Sequence, residues 1–169
     1  MKIRLKSLKE GLQILNYTLK ESELNLTDKY FNSPIIVTLS VNKGYSEISI
    51  NGEVQTIAEL ECDRCLSLFH QDIKSSFKII LSQIDLGATN IEENIIPISS
   101  NTNEVDITSP IRDALILSVP MKKLCCKDCK GLCPHCGVNL NIEKCQCNAT
   151  SKDPRWEPLK KLLTNVKEG

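Results

Sequence analysis

An α+β fold is expected, with a curled antiparallel β-meander, barrel- or sandwich-like, one packed helix, a cysteine-rich hook and a C-terminal helix. Three observations predict it. From Ile35 onward, β-branched runs and apolar residues at alternate positions have the period of strands with one face in a core. From Asp106 to Val119 the apolar residues shift to helical spacing. Finally, seven of the nine cysteines crowd into Leu124 to Cys147. The composition agrees, because 41% hydrophobic but only 4% aromatic residues leave the core to Ile, Leu and Val, which suit a sheet. The 169 residues suffice for one cored domain with a stapled appendage, divided as 1–119, a β-rich core domain with its closing helix, and 120–169, the hook and a C-terminal helix.

Taken in order, Met1 to Leu8 alternates Ile3 and Leu5 with Lys2, Arg4 and Lys6 and reads as a short strand. Lys9 to Ser33 has leucines without a clean period and fits a strand or a short helix. Ile35 to Val41 is a β-branched run ended by the turn Asn42-Lys43-Gly44-Tyr45. Ser46 to Cys62 puts Ile48, Ile50, Val54, Leu60 and Cys62 on one parity, and its length calls for a bulge, for which Gly52 is the candidate. After a hairpin at Asp63-Arg64, Leu66 and Leu68 share a parity, Leu66 to Asp72 continues outward, and the parity then slips so that Phe77, Ile79 and Leu81 take up the inward face. Asp85 to Val105 is an acidic, polar surface insertion holding one edge strand at Ile95 to Ile98. In the helix, Thr108 or Ser109 is the expected cap, Pro110 fits the first turn, Ile107, Ile111, Ala114 and Leu115 form the buried stripe, and Pro120 ends it. A last helix starts at Asp153-Pro154, with Trp156, Leu159, Leu162, Leu163 and Val166 on its apolar side.

The cysteine spacing is that of metal ligands. Cys133-Pro134-His135-Cys136-Gly137 has the form of a zinc knuckle, in which a tight turn aims N–H groups at two thiolates holding one ion. With Cys145 and Cys147 it gives the simplest closed site, Cys133, Cys136, Cys145 and Cys147. Cys62 and Cys65, at the hairpin, are a second pair whose natural partners are Cys125 and Cys129; Cys126 is then the odd, free thiol. One zinc ion, or two, is expected. Iron–sulfur clusters also use four cysteines, but Pro134 and Gly137 in the knuckle favour zinc. Disulfides need an oxidising compartment, and the opening Met1-Lys2-Ile3-Arg4-Leu5-Lys6 has no apolar signal segment, so the reading is cytoplasmic.

Several function classes find no support. No run approaches the ~20 apolar residues of a membrane span. Four thiolates close a zinc ion to substrate. The zinc deaminase pattern fails, since Leu132 precedes Cys133 where Pro is required and the upstream segment reads His70-Gln71-Asp72. No nucleophile-and-base pair and no phosphate-binding glycine pattern occurs, so neither catalysis nor a small-molecule substrate is expected. The zero net charge hides an asymmetry: residues 1–119 carry eleven Lys and Arg against sixteen Asp and Glu, and residues 120–169 carry ten against five. Lys122, Lys123, Lys127 and Lys130, with Arg155, Lys160 and Lys161, are candidate RNA contacts. The four lysines nearest the cysteines serve equally well to neutralise thiolates, and the sequence leaves both readings open.

The ordered set Cys62-Asp63-Arg64-Cys65-Leu66, Val119-Pro120-Met121, Leu124-Cys125, Cys129-Lys130-Gly131-Leu132-Cys133-Pro134, Cys136-Gly137-Val138-Asn139-Leu140-Asn141, Cys145-x-Cys147 and Asp153-Pro154-Arg155-Trp156 resembles the YceD-like large ribosomal RNA subunit accumulation proteins of bacteria and plastids. The likeness runs from about Gly44 onward. It implies a non-enzymatic role in synthesis, processing or stability of 23S ribosomal RNA and in large-subunit assembly, with ribosomal RNA or a large-subunit ribosomal protein as partner. The family's eight usual cysteines map onto Cys62, Cys65, Cys125, Cys129, Cys133, Cys136, Cys145 and Cys147, and the resemblance brings no catalytic residue. The alternatives are a zinc-stapled protein-interaction adaptor and a thiol or metal sensor.

Overall fold

A computed structural model of the chain describes residues 1–26, 30–45, 47–82, 94–99 and 101–147. The expected C-terminal helix, with Arg155, Lys160 and Lys161, and residues 85–93 and 100 of the acidic insertion lie outside these residues. The chain divides into two compact units, Met1–Cys129 and Lys130–Gly169. The first is α+β: strands β1 (Lys2–Arg4), β2 (Gly11–Leu19), β3 (Ile35–Lys43), β4 (Glu47–Glu61), β5 (Leu68–Ser82), β6 (Ile95–Pro97) and β7 (Glu104–Asp106), then the helix α1 (Thr108–Ser118). Single 3-10 turns occupy Leu5–Ser7 and Glu21–Leu24.

The main sheet has the order β2-β3-β4-β5-β6. β2 to β5 form the expected antiparallel meander, whereas β6 adds to β5 in parallel. β2 and β6 are its edges and do not pair with each other, so no closed barrel forms among the described residues. β1 and β7 make a separate antiparallel pair, with Ile3 opposite Val105.

Alternation decides which face is buried. Ile35, Val37, Leu39 and Val41 of β3, Ile48, Ile50, Val54, Ala58 and Leu60 of β4, and Ile73, Ile79 and Leu81 of β5 all point into one core. Ile107, Ile111 and Leu115 of the helix segment complete that core, with α1 lying on β5. Each buried Val, Leu or Ile among them contributes about 1.5–3 kcal/mol through removal from water. Among the described residues, Thr56 is the one buried polar or charged side chain, and its hydroxyl donates to the Pro34 carbonyl at 3.2 Å.

Three expectations need correction. β4 is continuous in register with both neighbours, so Gly52 is not a bulge. Instead a Cβ there would stand 2.2 Å from the ring of Phe77, its partner on β5, and glycine makes room for that ring. β5 undergoes no parity slip: Phe69, Ile73, Phe77, Ile79 and Leu81 share one face throughout, and Leu66 and Leu68 are exposed. Asp106 belongs to β7, and its carboxylate accepts the Thr108 N–H at 2.9 Å; Thr108 and Ser109 are inside the helix and do not cap it. That same pair of Thr108 bonds, hydroxyl and N–H, holds the Asp106 carboxyl below its ordinary range. The stretch without a clean period, expected as a strand or a short helix, is strand β2 followed by the 3-10 turn at Glu21–Leu24; in β2 Gln13 faces inward while Leu12 and Ile14 face solvent.

Candidate metal centres

The β4–β5 hairpin delivers the first two thiols. Its loop is closed by the Cys62 N–H donating to Ser67 at 3.0 Å and the Leu66 N–H donating to Cys62 at 2.9 Å, with Leu66 at φ 57°. This holds Cys62 and Cys65 side by side at the tip. After α1, the chain returns to that tip and is fastened by the two residues between the cysteines. The Asp63 carboxylate accepts the Lys123 N–H at 2.7 Å, and the Asp63 N–H donates to the Lys123 carbonyl at 2.8 Å. Arg64 donates to the Cys129 carbonyl at 2.8 Å. Lys123 also reaches back, its Nζ lying 3.5 Å from the Tyr30 hydroxyl and 5.1 Å from the ring centre. Cys125 and Cys129 thereby meet Cys62 and Cys65: the Sγ atoms of Cys62 and Cys129 are 3.8 Å apart, those of Cys65 and Cys125 3.6 Å, and all four lie within 4.8 Å of one another.

The second unit builds a like group locally. Cys133 N–H donates to Val138 at 2.8 Å and Gly137 N–H donates to Cys133 at 2.9 Å, making the knuckle a tight turn in which Gly137 takes φ 73°. Leu132 and Asn139 bridge its two arms, and the Asn139 and Asn141 side chains fasten the following loop. Cys145 then lies 3.2 Å from Cys133 and 3.6 Å from Cys136, sulfur to sulfur, and Cys147 completes a second group of four within 4.8 Å. The His135 N–H points at the Cys133 sulfur at 3.5 Å, and the Cys147 N–H at that of Cys145 at 3.2 Å.

Both groups fit a zinc ion. Zn–S bonds of about 2.3 Å in a tetrahedron put sulfurs about 3.8 Å apart, close to the separations found. Their electrostatics point the same way. Burial opposes ionisation of Cys62, but N–H groups of Cys125, Cys65 and Arg64 outweigh it and bring the thiol down to about 6. Cys65 is lowered by the Ser67 N–H and hydroxyl. Cys125 is pushed well up by burial and by the neighbouring sulfurs. In the second group, N–H groups of Cys136 and His135 lower Cys133 to about 6, while the sulfurs of Cys145 and Cys136 push Cys147 up to about 12. Each group thus holds a thiolate at neutral pH, yet cannot ionise fully without a cation among its sulfurs.

All eight predicted ligands are brought together in the two expected sets of four; Cys126 is exposed and belongs to neither, its sulfur 4.0 Å from that of Cys125. Of the candidate RNA contacts, Lys122, Lys127 and Lys130 are exposed, and Lys123 is half-buried against Tyr30. Sequence reasoning missed the fastening roles of Asp63, Arg64 and Tyr30. Only the position of Asp63 and Arg64 between two ligands hinted at theirs.

A strand-rich domain with a four-cysteine group at one hairpin tip, followed by a second four-cysteine knuckle, defines a class of proteins suited to binding metal for structure. Comparison with known sequences narrows the class. The family model described as "Large ribosomal RNA subunit accumulation protein YceD" matches residues 50–163, and the chain belongs to that family. Among its relatives are the "Large ribosomal RNA subunit accumulation protein YCED homolog 1, chloroplastic" of Arabidopsis thaliana, 28% identical over 162 residues, and the protein of the same name in Zea mays, 27% identical over 152. These alignments cover 80% and 73% of this chain but 50% and 52% of the relatives, so the chain spans about half their length. An uncharacterised Mycobacterium tuberculosis protein is 32% identical over 126 residues, 73% of this chain and 58% of its own. No solved structure matches. Among the described residues, no helix is long and apolar enough to cross a membrane.

Proposed function

We propose that this chain is a non-enzymatic, cytoplasmic factor in 23S ribosomal RNA synthesis, processing or stability, acting in large-subunit assembly, with a structural zinc ion in each cysteine group. The observation that carries the reading is the convergence of eight cysteines into two closed sets of four in a member of this family. The printed names of the plant relatives describe accumulation of large-subunit ribosomal RNA, not a reaction. Cys62, Cys65, Cys125 and Cys129 would hold one ion; Cys133, Cys136, Cys145 and Cys147 would hold the other. Zinc supplies rigidity there, since four thiolates leave it no open position for substrate. Exposed Lys122, Lys127 and Lys130, with Arg155, Lys160 and Lys161, are the proposed contacts to RNA phosphates.

Depletion of the protein, followed by sedimentation of ribosomes, tests this reading. Large subunits should fall or a 23S precursor accumulate, and an unchanged profile contradicts it. A second reading, a protein adaptor that grips a large-subunit ribosomal protein, is favoured by Leu66 and Leu68, which are 57% and 65% exposed at the hairpin beside Cys65. Binding to 23S fragments at two salt concentrations separates the readings, because phosphate contact weakens steeply with salt.

A further inference from the structure

The first cysteine group has a fifth sulfur beside it. Cys126 lies outside the set of four, but its Sγ is 4.0 Å from that of Cys125, close to the roughly 3.8 Å edge of a zinc–thiolate tetrahedron. Its neighbour is the accessible point of the group: Cys62, Cys65 and Cys129 are buried, whereas Cys125 is exposed. Solvent and dissolved reagents therefore reach Cys125 before the other three, and they reach it where a second thiol stands adjacent. Cys126 is also the one cysteine of nine that two four-thiolate centres leave unused.

Spacing suits Cys126 to the same ion. Two residues separate Cys126 from Cys129, as they separate Cys62 from Cys65 and Cys133 from Cys136, whereas three separate Cys125 from Cys129. Both spacings are within the range by which paired cysteines hold one zinc ion. The Cys129 N–H donates to the Cys126 carbonyl at 3.3 Å, so these two residues already bound a single tight turn. The hairpin fixes the segment at both ends, Lys123 through Asp63 and Cys129 through Arg64. Exchanging one sulfur for the other turns only the residues between those two points, and Cys62, Cys65 and Cys129 keep their places.

We infer that Cys126 is a reserve ligand of the first centre, taking the place of Cys125 and closing four thiolates around the ion when Cys125 is unavailable. This rests on the zinc ion proposed for that group. The full chain, loaded with zinc or with cobalt(II) as a spectroscopic probe, tests it in four forms: parent, Cys125→Ala, Cys126→Ala and the double variant. Alanine leaves no donor atom, and the cobalt spectrum counts the thiolates. Each single variant should keep the four-thiolate spectrum and bind zinc at the first group within about tenfold of the parent. The double variant should bind at least about 100-fold more weakly than either single one, because loss of a mere support already costs 10- to 100-fold. Amide exchange in β3 and β4 checks that the sheet stays folded, and Cys125→Ser, closer in size, replaces the alanine variant if it does not. A parent without metal at the first group overturns both this inference and the zinc reading. A parent that binds, with either single variant as weak as the double one, overturns the inference alone.

Discussion

Asp63 and Arg64 show how residues outside a cysteine group can decide whether the group assembles. Cys62 and Cys65 are fixed by the hairpin loop, but Cys125 and Cys129 arrive from the far side of a helix, and their approach depends on the Asp63 carboxylate and the Arg64 guanidinium holding the Lys123 and Cys129 backbone. Removing such a support typically weakens metal affinity 10- to 100-fold. Asp63→Ala should therefore weaken zinc at the first group by about that factor, leaving the second unchanged, as measured by competition with a chromophoric chelator. Equal loss from both groups, or from neither, would refute this role. The cysteines themselves were legible because thiolate spacing is a local signal, and Cys133 and Cys136 needed only a turn with Gly137. The roles of Asp63 and Arg64 were not, because their partners lie sixty residues and more away.

At the scale of the elements, alternation made β3, β4 and α1 legible, since each buries one continuous apolar face. β2 was obscured because Leu12 and Ile14 face out and Gln13 faces in, which blurs the period. In β5 the expected parity slip does not occur, because Leu66 and Leu68, the apolar residues that set the earlier parity, are exposed at the hairpin tip. Gly52 was noticed correctly and explained wrongly, because a close approach by Phe77 from the next strand leaves no mark within β4 itself. Gly52→Ala should push that ring off its position and destabilise the sheet by about 1–3 kcal/mol in chemical denaturation. Pairing it with Phe77→Leu should recover part of the loss, and an Ala variant as stable as the parent would show that the ring does not need the space.

Across the whole molecule, the two compact units hold their structure by different means. Every side chain of the main apolar core lies between Ile3 and Leu115, so the sheet has a hydrophobic interior of its own. In the second unit, among the described residues, Gly131 and Cys133 alone are buried, and turn hydrogen bonds surround a sulfur cluster in place of a core. With the zinc ion proposed for it, the binding free energy of the metal would be part of this unit's folding free energy. Both groupings of four cysteines were legible in the sequence, whereas the fastening of the distant group required the three-dimensional structure. The most direct test is the metal-to-protein ratio of the purified, untagged chain by elemental analysis. Two structural centres require about two zinc ions per chain. A ratio near one, or iron in place of zinc, would contradict that account.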